Sequence, residues 1–142
     1  MATSDDPRDD PRDDSALRTA LFTQTARKAG VCWLSYDSPA GAVVDRLVWH
    51  VWHDGAVLVA TGQGEQQLPP PADGTEVEVA LRSGDTGGLL VRHRCRARTV
   101  VATDPDWELC AAALLAGRLN HGPASQTLDR WRRSVSFHLL AP

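Results

Sequence analysis

The stretch Leu47-Val48-Trp49-His50-Val51-Trp52-His53-Asp54-Gly55-Ala56-Val57-Leu58-Val59-Ala60-Thr61-Gly62 constrains the fold of this chain most. Asp54-Gly55 between two β-rich runs predicts a hairpin over about 43–62, because a type I′ turn needs φ > 0 at both central positions. Both arms carry apolar or aromatic groups on both faces. A strand apolar on one face fits a sheet wetted on the other. A strand apolar on both must be covered twice, by a core and by a second layer or a second subunit.

The rest of the chain falls into order around this ribbon. Residues 1–14 repeat Asp-Asp-Pro-Arg and hold no large apolar group after Met1, so they read as a disordered, solvated acidic tail ahead of a single domain over 15–142. Ser15 caps a predicted helix over about 16–29, with Leu17, Ala20, Leu21 and Thr25 on one face and Gly30 as its stop. Val31–Tyr36 reads as a first strand and 37–41 as a loop. After the hairpin, Gln63–Gly74 is a long polar connection with a proline run, Pro69-Pro70-Pro71, which no central strand accepts. Thr75–Arg82 alternates, with Val77, Val79 and Leu81 opposite Glu76, Glu78 and Arg82. A Gly-rich turn over 83–88 leads to a long strand, Leu89–Thr103. Its one face carries Val91, His93, Cys95 and Ala97, and its other face Arg92, Arg94, Arg96 and Arg98. Asp104-Pro105 predicts a helix start with Asp104 as the cap and a helix to about Leu119. A short helical turn over 127–132 and a last strand over 134–140 follow. Sequential antiparallel strands with helices at the margins fit a small barrel rather than a parallel sheet.

Composition removes several function classes. The net charge is −3, of which −4 comes from residues 1–14 and about +1 from the rest, so the folded body lacks the basic excess of a nucleic-acid binder. No apolar run approaches the ~20 residues of a membrane helix. The acidic start is unlike a secretory signal, and three widely spaced cysteines, Cys32, Cys95 and Cys110, read as buried thiols of a cytoplasmic protein. His50 and His53 are three apart on a strand and point to opposite faces. His93 and Cys95 share a face but make only two ligands, so no metal set emerges. The four-arginine stripe reads as a solvated face with cross-strand ion pairs to Glu76 and Glu78, and alternatively as a phosphate holder. Thr61-Gly62-Gln63-Gly64 is a strand exit whose backbone N–H groups can approach an anion.

The helix ending Ala29-Gly30-Val31, the hairpin from Arg46-Leu47-Val48-Trp49 to Val57-Leu58-Val59-Ala60-Thr61, the long strand and the Asp104-Pro105 helix resemble the pyridoxamine 5′-phosphate oxidase-like, FMN-binding split-barrel proteins, and more narrowly an actinobacterial branch of them. The resemblance covers about residues 16–140. It implies a mainly β fold, a six-stranded antiparallel split β-barrel with flanking helices, assembled as a homodimer with FMN or a deazaflavin coenzyme between subunits. Arg46 then falls at a basic position of the second strand, and Thr61 ends the third beside the cofactor phosphate. Trp49 or Trp52 lies near the isoalloxazine, and Gln63 and Gln66 lie at the phosphate. The family's Ser-x-Lys segment, which holds that phosphate, reads Gly64-Glu65-Gln66 here, with no lysine and with a carboxylate that repels a phosphate.

Two functions follow. One is a flavin- or deazaflavin-dependent oxidoreductase whose chemistry belongs to the coenzyme. The other is a cofactor-free split-barrel dimer acting as a binding or structural module. A third ligand in the same cleft, such as haem, would call on His50, His53 or His93.

Overall fold

A computed structural model describes residues 11–84, 88–118 and 122–142. The elements run α1 (Pro11–Lys28), β1 (Val31–Asp37), β2 (Val43–Trp49), β3 (Val51–His53), β4 (Ala56–Gly62), β5 (Glu76–Ser83), β6 (Leu89–Val100), α2 (Trp107–Gly117), α3 (Ala124–Ser134) and β7 (Val135–Ala141). α1 opens at Pro11 rather than at Ala16, because proline suits the first helical turn, where its missing N–H costs nothing. Residues 1–10 of the expected tail, and Leu119 of the expected helix, lie outside the described residues.

Among the described residues the seven strands pair antiparallel, in the order β2-β1-β5-β6-β7-β4-β3. The two end strands, β2 and β3, are separated in the chain by His50 alone. The chain therefore steps from one edge of the sheet to the other, which requires the sheet to curl round on itself. The expected turn is present, with Asp54 at φ 52° and Gly55 at φ 73°. The hairpin is shorter than expected, however. Only Val51–His53 pairs with β4, while Val43–Trp49 pairs with β1. The strand count is consequently seven rather than six. His50 makes the break: its N–H donates to Gly30 O at 3.0 Å, past the end of β1, and its ring Nε2 donates to Ala26 O at 3.0 Å in α1. A carbonyl only accepts, so Nε2 carries the proton.

β4 is buried from Ala56 to Thr61. Val57 and Val59 face the barrel interior with Leu34, Val48, Val77, Val79, Leu81, Cys95 and Leu140, and Phe22 and Ala26 of α1 close that core. Ala56, Leu58 and Ala60 face outward onto Trp107, Cys110, Ala111 and Leu114 of α2 and Trp131 of α3. The second cover demanded by the sequence is thus a helical layer of the same chain. Phe137 of β7 binds that layer together, 5.4 Å from Trp107 in a stacked pair and 5.6 Å from Trp131 edge-on.

Other boundaries moved for local reasons. β6 ends at Val100, and α2 begins at Trp107 behind a turn in which Asp104 Oδ1 accepts Asp106 N–H at 3.0 Å. Asp104 therefore caps that turn, not the helix. Among the described residues no helix is long and apolar enough to cross a membrane.

Candidate functional site

Where the chain leaves β4, the sheet has a gap, because β2 has turned away to β1. Gln66 fills it. Its Oε1 accepts Trp49 N–H at 2.6 Å, and its Nε2 donates to Trp49 O and Ala60 O, both at 3.2 Å. One amide thereby pairs both backbone groups of Trp49 in β2 and one carbonyl of β4. The backbone of Gln66 joins in, accepting Gly62 N–H at 3.1 Å. The orientation of the amide follows from its partners, an N–H and two carbonyls.

Glu65 stands beside it with its side chain fully buried. Its carboxylate accepts from Arg118, which follows α2, and from Arg130 of α3, the latter at 2.9 Å. Arg130 also donates to Gln63 O at 2.7 Å, and Arg118 lies 5.5 Å from the Trp49 ring centre. Gly64, at φ 80°, makes this possible. A Cβ there would lie 2.3 Å from Arg130 Nη1, so the guanidinium lies against bare backbone. Gly62 is as tightly held, since its Cβ would meet Ser134 O at 2.2 Å.

Thr61 turns its hydroxyl inward to His138 Nε2 at 3.0 Å, and His138 Nδ1 lies 3.4 Å from Thr99 Oγ1. Burial pushes the His138 imidazole down to about 4, so the ring is neutral in the folded protein. Outside this network lies an open groove of about 400 Å³, lined by Thr61, Gly62, Gln63, Gln67, Leu68, Pro70, Ser134 and Ser136. Its lining mixes polar and apolar groups and carries no charged side chain.

Trp49, Thr61, Gln63 and Gln66 are therefore gathered at one place. Arg46 is exposed on β2, close enough to Tyr36 to act on its phenol, which burial pushes up to about 12 against the pull of that guanidinium. Trp52 is half-buried and packs on the barrel core. The arginine stripe is a solvated face. Arg92 pairs with Glu78 at 3.2 Å, Arg94 with Glu76 at 3.9 Å and Arg98 with Asp104 and Asp106, while Arg96 donates to Gly74 O. His50 and His93 are engaged by Ala26 O and by Thr19 Oγ1, and the three thiols are free and buried. Among the described residues no group of three or more His, Cys, Asp or Glu is placed to hold a metal ion.

No family model matches the sequence, and no curated protein matches it. Solved structures do. The conserved hypothetical protein Rv2991 from Mycobacterium tuberculosis is 15% identical, with 86% of this chain and 79% of that one covered at a TM-score of 0.56. HutZ, the heme storage protein from Vibrio cholerae, is 12% identical, with 87% and 89% covered at a TM-score of 0.55. The fold is a split β-barrel. At these identities the likeness reaches the fold and no further.

The group that a split barrel of the FMN-binding type implies is a flavin with a phosphate to anchor, and the residues at the β4 exit do not fit that phosphate. The Gln66 amide is fully engaged. The N–H groups of Gly62, Gln63 and Glu65 donate to Gln66 O, Ser134 O and Gly62 O. The two nearby guanidinium groups are held by a carboxylate. Sequence reasoning marked Glu65 and Gln66 but missed Arg118, Arg130 and His138. Nothing local could have tied Arg118 and Arg130 to a residue 53 and 65 positions earlier.

Replacing Gln66 by Ala leaves three backbone groups unpaired at the gap, and urea unfolding is expected to show a loss of about 2–4 kcal/mol, at roughly 1 kcal/mol per bond plus the desolvation cost. His138 makes stability pH-dependent. Its pKa is about 4 folded and 6.5 unfolded. The unfolded chain therefore takes up a proton first, and stability falls as pH drops from about 6.5 to 4, by roughly 3 kcal/mol over the whole window. Unfolding curves between pH 7 and 4 check this: the wild type should lose more than His138→Gln, and equal losses would exclude it.

Proposed function

We propose that this chain is a small-molecule-binding split-barrel homodimer whose cleft takes its ligand without a phosphate anchor, a binding module rather than a phosphate-anchored flavoenzyme. The observation that carries this reading is the engagement of Glu65 and Gln66, at the segment where the resemblance expects a phosphate-holding lysine, in bonds internal to the chain. The neutral groove beside them offers amide and hydroxyl groups from Gln63, Gln67 and Ser136 together with the apolar edges of Leu68 and Pro70. Such a lining suits an uncharged, partly aromatic molecule. The riboflavin end of a flavin or a deazaflavin fits that description, and the phosphate end does not. Haem is the other ligand class to test, since one structural neighbour is a heme storage protein and half-buried His53 borders a recess with Asp54, Asp106, Leu109, Cys110 and Leu139.

The dimer belongs to the outer face of β1, β2 and β5. There Trp33 pairs across to Leu47 on one side and Ala80 on the other, and Trp33 and Leu47 are 37% and 55% exposed. A recess of about 280 Å³ beside this row holds both acids, Asp45 and Glu78, and bases, Arg82 and Arg92. A two-fold contact brings the same patch against itself, and a row with both signs of charge at its rim can pair with its own copy.

Riboflavin, FMN, a deazaflavin and haemin, titrated against tryptophan emission, test the ligand. Riboflavin and FMN are expected to bind within about threefold of each other. An FMN preference of tenfold or more, about 1.4 kcal/mol, or a protein that purifies with FMN, would falsify the reading. A dominant haemin complex with a Soret band would move it to haem. Light scattering tests the seam: the wild type is expected at twice the 15.4 kDa chain mass, and Leu47→Arg at the chain mass with its melting temperature retained.

A further inference from the structure

We propose that Arg118 and Arg130 form a binding site for a small oxyanion that the chain's own Glu65 carboxylate occupies, so that Glu65 is the residue that sets the cleft against phosphorylated ligands. This deepens the reading of the β4 exit given above and rests on it for its meaning in the native protein.

The arrangement has the features of an anion site already filled. Two guanidinium groups from separate elements converge on one acceptor, and Glu65 Oε2 takes a donor from each. Charge-assisted bonds from guanidinium groups of this kind hold carboxylate and phosphate oxygens alike. One carboxylate faces two guanidinium groups, which leaves an excess of positive charge at the spot. The carboxylate is fully buried, whereas Arg118 and Arg130 keep 26% and 29% of their side chains exposed, so the arginines are reachable from solvent once the carboxylate is gone. The cradle is prebuilt. Arg118 lies over Trp49, and Arg130 lies against Gly64 with Nη1 fixed on Gln63 O, leaving Nη2 for the anion. Glu65 reaches this place because Gly62 N–H and Glu65 N–H close the loop onto Gln66 O and Gly62 O. The segment is thus a short tongue whose tip inserts a carboxylate between the arginines.

The probe is inorganic phosphate, compared with chloride at equal ionic strength, read by thermal melting and by tryptophan emission. The wild type is expected to show no phosphate-specific change. Glu65→Ala is expected to melt lower in chloride and to recover in phosphate, by about 3–5 °C at roughly ten times its Kd. Glu65→Gln, which keeps the bulk and removes the charge, should respond less. Adding Arg130→Gln to Glu65→Ala should abolish the response. If neither single variant folds in chloride, refolding in phosphate reads the same site, and an equal absence of folded protein in both salts overturns the proposal. So does a wild type that gains as much as Glu65→Ala, or a Glu65→Ala protein that phosphate stabilises no more than chloride does. No flavin enters the experiment, so an unliganded cleft would overturn the proposed function and leave this result standing.

Discussion

The barrel depends on one crossing. A chain that pairs with β1 as far as Trp49 and with β4 from Val51 onward must change partners within a single residue, and the change opens a gap in the hydrogen-bond ladder. Two side chains deal with it from opposite ends. His50 is drawn under α1, bonded through its backbone to Gly30 and through its ring to Ala26, and Gln66 supplies from a loop the donors and acceptor that a neighbouring strand would have supplied. Buried backbone groups left without partners cost more than most single contacts contribute. The crossing is therefore affordable only because both side chains are there.

The same loop carries a second set of buried polar contacts. Gln66 holds the barrel and Glu65 holds two arginines, and the glycines on either side of Gln63 allow both, one by approaching Ser134 and the other by admitting Arg130. A segment engaged so fully in its own structure has few groups left for a ligand's phosphate. What remains accessible is the neutral groove on its outer side.

Much of the fold was legible in the sequence. Asp54-Gly55 announced its turn, the alternation of Val77, Val79 and Leu81 announced an inward face, and the apolar character of Val57–Ala60 on both sides required two covers. The arginine stripe was legible as an ion-paired face because Glu76 and Glu78 lie on the neighbouring strand. The hairpin's length was not legible. Leu47 and Val48 read as strand whichever partner they take, and periodicity carries no information about which edge a strand joins.

The sequence by itself determined the elements, their faces and the need for a second layer, since these follow from local propensity and from the polarity of successive side chains. Through the resemblance it also drew attention to Gly64-Glu65-Gln66, which holds a carboxylate and an amide and no lysine. Only the tertiary structure decided that the second layer is α2 and α3, that the Gln66 amide replaces a missing strand, and that Glu65 meets Arg118 and Arg130. The physical reason is distance along the chain. A carboxylate's meaning depends on which cations surround it, and these two are brought to Glu65 only by the closure of the barrel and the docking of helices far downstream.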